Sequence, residues 1–421
     1  MKRNHNMATL LEKIENEPRT HVRLSDFIKI KHGFAFKGEY FSARPTKDVL
    51  VTPGNFAIGG GFKADKFKYY AGAVPEDYIL KAGDLVVTMT DLSVDADTLG
   101  YSALIPNDSS VQFLHNQRVG LVQQIKEGID LGFLYYLMRT REYQSYVVGG
   151  ASGSTVKHTS PDRIASFEYD FPSLPTQRKI AEILYAYEEK IENNNSNIKK
   201  LETLAKEFFE EWFVKFRFPG YEQSEWVENE TEKVPKGWKI GTISKIADIN
   251  PRTEVETSVT PFVEMRDLPE NGMSFVFEQK REVANGSRFK NHDTLLARIT
   301  PCLENGKTGY VNCLDEEEVG CGSTEFIVLR PKATYFREYI YLLARNDKFR
   351  RFAIGRMVGS SGRQRVSGAD IDRFQIIEPE ADIIQKFHNI TSRLFKKIRE
   401  ASSENQILEQ SRNILLSKLI N

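Results

Sequence analysis

The sequence predicts an α+β chain made by tandem duplication: two mixed α/β domains, each followed by a long helix, with the two helices pairing as an antiparallel coiled coil. Three observations predict it. Short fragments recur in the same order in both halves of the 421-residue chain. Two long stretches carry apolar residues at heptad spacing. Ahead of each lie short β-rich runs mixed with one short helical pattern.

The repeat comes first because it decides the architecture. "SPDRIASF" (Ser160 to Phe167) aligns with "SGADIDRF" (Ser367 to Phe374), sharing Ser, Ile and Phe. The register continues without a gap, placing Gln177 on Ile384, Ile180 on Phe387 and Lys190-Ile191 on Lys397-Ile398. Upstream, "HNQRVGLVQ" (His115 to Gln123) sits against "GSTEFIVLR" (Gly322 to Arg330), and "VRLSDFIKI" (Val22 to Ile30) against "GTISKIADI" (Gly241 to Ile249).

Within each copy, runs such as "GDLVVTMT", "RVGLVQQI", "DTLLARIT" and "EFIVLRP" predict strands. The stretches "LGFLYYLMRTREYQSYVV" and "REYIYLLARNDKFRRFAI" predict helices at matching places. "RITPCLENGKTGYV" and "MTDLSVDADTLGYSAL" (Met89 to Leu104) occupy one place in the repeat: a strand, a loop, then Gly-Tyr leading into another strand.

Between Pro175 and Phe216 no Gly or Pro interrupts the chain. A seam of Ile180, Leu184, Tyr187, Ile191, Ile198, Leu201 and Phe208 runs along it, broken by Asn194 as a register-fixing polar residue would break it. Such a helix is roughly 60 Å long. The second copy offers Phe387, Leu394, Ile398, Leu408 and Leu415. Two matching rods favour packing on each other; the alternative is that each packs only on its own domain. The acidic "RFPGYEQSEWVENETEKVPKGW", with Pro-Gly and Pro-Lys-Gly, predicts a linker. The expected boundaries are 1–173 and 237–378 for the globular domains, 174–216 and 379–421 for the helices, and 217–236 for the linker.

Composition narrows the class. Lys+Arg and Asp+Glu are equal at 58 each, so net charge points to no partner. The charges are unevenly spread: Arg345, Lys348, Arg350, Arg351, Arg356, Arg363, Arg365 and Arg373 crowd one segment, which suits a local phosphate-binding face. The N-terminus has no apolar core or cleavage site of a secretory leader, and no apolar run approaches the ~18 residues of a membrane helix. A cytoplasmic protein is expected. Cys302, Cys313 and Cys321 form no C-x-x-C pair, so neither a disulfide framework nor a zinc site is expected.

"RITPCLENGKTGY" (Arg298 to Tyr310) contains the end of a phosphate-loop pattern. The pattern fails on three counts. Pro301 stands where a Gly is needed, Glu304 would repel phosphate, and "GYVNCL" predicts a strand where a helix must begin. An Asn-Pro-Pro-aromatic methyltransferase loop is also missing, since "NPRT" (Asn250 to Thr253) has Arg at the second Pro. No His pair has the i,i+4 spacing of a metal site. Asp91, Asp95 and Asp97 predict a turn.

The stretch "LPTQRKIAEILYAYEEKIENNNSNIKKLETLAKEFFEEWFVKF", the following "VPKGW" and "STEFIVLRP" together resemble the specificity subunit of type I restriction–modification systems. The resemblance covers the whole chain. It implies two target-recognition domains, each reading one half of a split site in double-stranded DNA, with the helices setting the unread gap. It also implies docking of two methyltransferase subunits and of motor–nuclease subunits. No catalytic residue or cofactor is expected in this chain, with S-adenosylmethionine, ATP and Mg on the partners. The second helix departs from the pattern, reading "EPEADIIQKFH" and ending without the full "EFFEEWF" cluster, which implies weaker or different docking there.

On this reading the loops carry DNA contacts. The candidates are Ser154, Thr155, Lys157 and His158 before the first helix and Arg356, Arg363, Gln364 and Arg365 before the second. Arg298, Asn305 and Lys307 in the "ENGKT" stretch, Arg118, and Lys63 and Lys68 in "KADKFKYY" join them. Two rival functions stay open: a helical adaptor without DNA specificity, and a nucleotide-using enzyme built on Lys307. If helix length sets the gap, four residues inserted near Asn194 should add about two base pairs to it.

Overall fold

The computed structural model describes residues 13–420 apart from 15, 65, 94, 229–232, 256–258, 276, 278, 279, 283 and 284. The chain divides into two compact units, Met1–Lys190 with Leu408–Asn421, and Ile191–Ile407.

Each unit contains a four-stranded antiparallel sheet of the same strand order. In the first it is Ile28–His32, Val119–Gln124, Leu85–Thr88, Ser102–Leu104; in the second, Ala247–Ile249, Phe326–Pro331, Thr294–Ala297, Thr308–Tyr310. The pairing registers agree residue by residue. Val122 pairs with Ile30 and Gly120 with Val87, as Leu329 pairs with Ile249 and Ile327 with Leu296. A second sheet in each unit is built around a parallel pair, Asp48–Val51 with Gln112–His115 and Val259–Val263 with Gly320–Gly322. A two-stranded ladder leads into each long helix, matching Val22 to Tyr169 and Gly241 to Ile376.

The central strands are buried on both faces, which is why they read as continuous apolar runs instead of alternating ones. Leu85 and Val87 join the core beneath the helices, whereas Val86, between them, joins the core under the second sheet. Leu296 and Leu295 divide in the same way. Side chains at the loop ends start the short helices: Asp130 accepts from Phe133 N at 2.9 Å, and Asn346 from Lys348 N at 2.9 Å.

The first long helix runs from Leu174 to Phe209 and widens into a π-turn over Glu210–Val214; the second runs from Ala381 to Ile420. In the first unit Ile180, Ala181 and Leu184 share a core with Leu415, Leu416, Leu419 and Ile420. In the second, Ile198, Leu201, Ala205 and Phe208 share one with Phe387, Leu394 and Ile398. There Asn194 Nδ2 donates to Asn405 Oδ1 at 2.9 Å, and the rings of Trp212 and Phe387 lie 5.8 Å apart. The helices therefore run antiparallel. Ile191 is buried, whereas Tyr187 and Leu408 are half-buried. The π-turn lets Trp212 and Phe213 both turn inward, against Trp238, Tyr339 and Phe387. The segment expected to be a linker contains a hairpin, Trp226–Glu228 paired with Lys233–Pro235, and Phe216 and Phe218 pack edge-on and stacked against Trp238.

One expected alignment shifts. Val87 pairs with Ser102 where Leu296 pairs with Thr308, so Gly100-Tyr101 corresponds to Gly306-Lys307 and not to Gly309-Tyr310. The physical reason is backbone geometry. Gly100 and Gly306 enter the strand at φ of 85° and 79°, a left-handed turn that glycine adopts without a steric cost.

Candidate nucleic-acid interface

The loop before each long helix folds back as a narrow hairpin. Ser152 bridges His158 in the first copy, and Val358 bridges Arg365 in the second. The returning arm then lies along the end of a central strand, pairing His158 with Thr90 and Arg365 with Ile299. Thr159 N donates to Met89 O, and Val366 N to Arg298 O, both at 3.0 Å. On the next strand Met89 N donates to Arg118 O and Arg298 N to Glu325 O, again at 3.0 Å. One backbone frame thus joins three residues per copy: Met89, Arg118 and His158 in the first, with the Met89 side chain in the core, and Arg298, Glu325 and Arg365 in the second.

The side chains differ although the frame does not. Arg365 grips Glu325 with two nitrogens, Nη2 to Oε1 at 2.7 Å and Nε to Oε2 at 3.0 Å, while Arg298 Nε stands 3.8 Å from Oε2 on the same carboxylate. Arg298 Nε is shielded from solvent without a hydrogen bond. In the first copy Arg118 is exposed, and His158 Nδ1 shares a hydrogen bond with Thr90 Oγ1 at 3.1 Å. A fixed Arg–Glu fork can offer donors to guanine O6 and N7 and an acceptor to the cytosine amino group; an exposed Arg beside an imidazole offers a different pattern.

Beside the second triplet lies a groove of about 340 Å³ lined by Arg252, Arg288 and Arg298. Arg288 Nη1 donates to Thr253 O at 3.2 Å. Neither Arg252 nor Arg288 was expected from the sequence. Their signal lay in "NPRT": Asn250, at φ 52°, donates to Val328 O and accepts from Val328 N through Oδ1, closing the strand just before Arg252.

The remaining candidates are dispersed. Ser154, Thr155, Arg356 and Arg363 are exposed on the two hairpins, with Lys157 and Gln364 half-buried beside them. The Arg356 guanidinium lies 5.0 Å from the centre of the Phe352 ring. Lys63 and Lys68 are exposed, Lys68 placing its ammonium 3.9 Å from the Phe41 ring centre, while Tyr70 in the same run is core.

Lys307 has a local task. Its ammonium donates to Met265 O at 2.9 Å and Arg266 O at 3.3 Å, tying down the preceding loop. Asn305 Nδ2 donates to Glu270 Oε1 at 3.2 Å. The amides of a phosphate cradle are already used: Leu303, Asn305, Gly306 and Lys307 N donate to Ile299, Pro301, Leu303 and Cys302 O. The stretch is a self-bonded turn followed by the strand Thr308–Tyr310.

Asp91 does the equivalent work in the first copy. Its carboxylate accepts from Ser93 N at 2.6 Å and from Thr98 Oγ1 at 2.6 Å. Burial alone would raise its pKa, but these bonds outweigh that and hold it below the usual carboxylate range. Under the frame, His115 is fully buried, with Nε2 on Val119 O at 2.8 Å, and burial lowers its pKa to about 4. Among the described residues no three metal-ligating side chains come together, and no helix is long and apolar enough to cross a membrane.

Residues 16–203 match the type I restriction modification DNA specificity domain family. The chain is 27% identical over 308 residues to the type I restriction enzyme MjaIX specificity subunit of Methanocaldococcus jannaschii, covering 70% of this chain and 69% of that protein. It is 30% identical over 176 residues to the EcoAI specificity subunit of Escherichia coli, covering 40% of this chain but only 29% of that protein. Among solved structures, the S subunit of a type I restriction–modification system from M. genitalium superposes with a TM-score of 0.61 over 96% of this chain and 97% of that one, at 16% identity, a likeness of fold. Residues 16–203 thus match the DNA specificity domain, and over most of its length the chain is similar to type I restriction–modification specificity subunits, whose fold it shares.

Proposed function

We propose that each copy reads one half of a split double-stranded DNA target through its hairpin and side-chain triplet, and that the paired helices set the unread gap. The chain is non-catalytic on this reading. It docks two methyltransferase subunits for adenine methylation, and motor–nuclease subunits join for cleavage. S-adenosylmethionine, ATP and Mg belong to those partners, and the assembly works in the cytoplasm. The observation that supports the reading is the pair of triplets: the same backbone hydrogen bonds hold Met89, Arg118 and His158 in one copy and Arg298, Glu325 and Arg365 in the other. A packing role would conserve side chains along with backbone; two readers of different half-sites need the frame kept and the side chains changed.

The test is co-expression with the methyltransferase subunit of a type I system, followed by single-molecule sequencing of modified bases. Methylated adenine in a two-part motif of constant gap is the expected result. A soluble complex of the two proteins that leaves DNA unmodified, with no salt-dependent DNA affinity of the chain itself, would favour the adaptor instead.

A further inference from the structure

A second cluster in unit Ile191–Ile407 plays no part in the DNA frame. Where the helix Arg337–Arg345 begins beside the second long helix, a cavity of about 230 Å³ is lined by His292, Asn312, Arg337, Lys396 and Arg399, among others. Its one carboxylate, Glu338, is almost fully buried and already matched to His388 Nδ1 at 2.6 Å. Arg337 and Arg399 have no hydrogen bond or ion pair among the described residues, and Lys396 reaches only Glu400, at 3.9 Å. Asn312 Nδ2 is shut off from solvent without an acceptor. The helix continues directly from the turn Thr334–Phe336, with Arg337 N donating to Thr334 O and no side-chain cap. Burial, then Arg337 and Arg399, lower the His292 pKa to about 4. Donors and cations converge here on a space whose one lining carboxylate among the described residues, Glu338, is already taken by His388.

The first copy carries the opposite charges at the same places of the repeat. In the register of the repeat Asp130 corresponds to Arg337, Glu189 to Lys396 and Glu192 to Arg399. Asp130 caps its helix, Oδ1 accepting from Phe133 N at 2.9 Å, and Oδ2 lies 3.8 Å from Arg178 Nε. The second copy has exchanged this built-in carboxylate for a guanidinium and reversed the charge of both helix positions. Cations and an unpaired amide gathered around one cavity suit an external oxyanion.

We propose that this cavity binds one phosphate-class oxyanion, held by Arg337, Arg399 and the Asn312 amide. The proposal does not depend on the DNA reading. The test titrates inorganic phosphate into the full chain by calorimetry and thermal shift, with chloride at equal ionic strength as reference. Saturable binding is expected, weakened roughly tenfold in Arg337→Gln and in Arg399→Gln and unchanged in Glu189→Gln of the first copy. Arg399 is exposed, so its variant carries the test even where Arg337→Gln perturbs folding. No stabilisation beyond that of chloride, or equal affinity in wild type and Arg399→Gln, would overturn the site. Adding duplex DNA to the phosphate titration distinguishes two sources that both sustain it: competition marks a backbone phosphate, and independence marks a free one.

Discussion

The two copies agree where backbone meets backbone and disagree where side chains end a strand. Ile30, Gly120 and Tyr169 have partners in the same register as Ile249, Ile327 and Ile376. By contrast, Met89, Arg118 and His158 became Arg298, Glu325 and Arg365. A one-residue slip would turn a whole buried strand to the wrong face, so pairing registers are held strictly. Arg118 and His158 are exposed and Arg298, Glu325 and Arg365 half-buried, so these side chains can change without moving the frame, whereas Met89 belongs to the core. The core that closes each unit diverges too. Leu419 and Ile420 fill the first, where Trp212 and Phe213, at the matching places, build an aromatic cluster in the second.

Substitutions should separate the two copies, beginning with that core. Phe213→Ala should cost about 3–5 kcal/mol, and Ile420→Ala less, because fewer atoms leave contact; urea unfolding of the full chain measures both. Equal costs would mean that the aromatic cluster adds nothing over its aliphatic counterpart. Acid should come next. His115 is neutral when folded, with a pKa of about 4, against an ordinary value near 6.5. The unfolded chain therefore takes up a proton that the folded one refuses. Stability should be undisturbed above pH ~6.5 and fall toward pH ~4 by up to about 3 kcal/mol. His292 adds a smaller loss of the same sign, being only half-buried. Unfolding of His115→Gln across this range should show a flatter profile, and an unchanged slope would contradict the assignment.

Lys307→Met should cost about 1–3 kcal/mol by leaving the Met265 and Arg266 carbonyls without their donor. The same variant should leave the modified DNA motif unaltered; a changed motif would return Lys307 to the reading surface. The smallest effect belongs to the Asn layer of the helices. Asn194 Nδ2 donates to Asn405 Oδ1, and Asn405 Nδ2 to Asn195 Oδ1 at 2.8 Å. Replacing both Asn194 and Asn405 by Leu should be neutral or stabilising while loosening register, visible as a spread in the gap between modified half-sites. A gap that stays constant would remove register control from Asn194.

Much of this architecture was legible in the sequence because it rests on periodicity. The heptad seam around Asn194, the uninterrupted stretch after Pro175 and the repeated Ser–Ile–Phe spacing each report a backbone constraint that acts locally. The triplets were half legible. Arg118, His158, Arg298 and Arg365 could be chosen as polar residues in loops, but Met89 and Glu325 gave no sign, since their role comes from hydrogen bonds between distant strands. Arg252 and Arg288 were hidden for the same reason, lying 36 positions apart by number yet lining one groove. The Gly-Tyr pair is a false guide because two shared letters carry no backbone conformation, and the left-handed turn that sets the register lies at Gly306.

Under the proposed function each triplet governs one half-site. This is tested most directly by sequencing modified bases after co-expressing the methyltransferase with wild type, with Arg365→Gln and with Arg118→Gln. The account predicts that Arg365→Gln relaxes or changes one half of the motif, Arg118→Gln the other, each by about 1–3 kcal/mol of discrimination at single positions, with the gap unchanged. Both variants altering the same half, or neither altering any position, would contradict it.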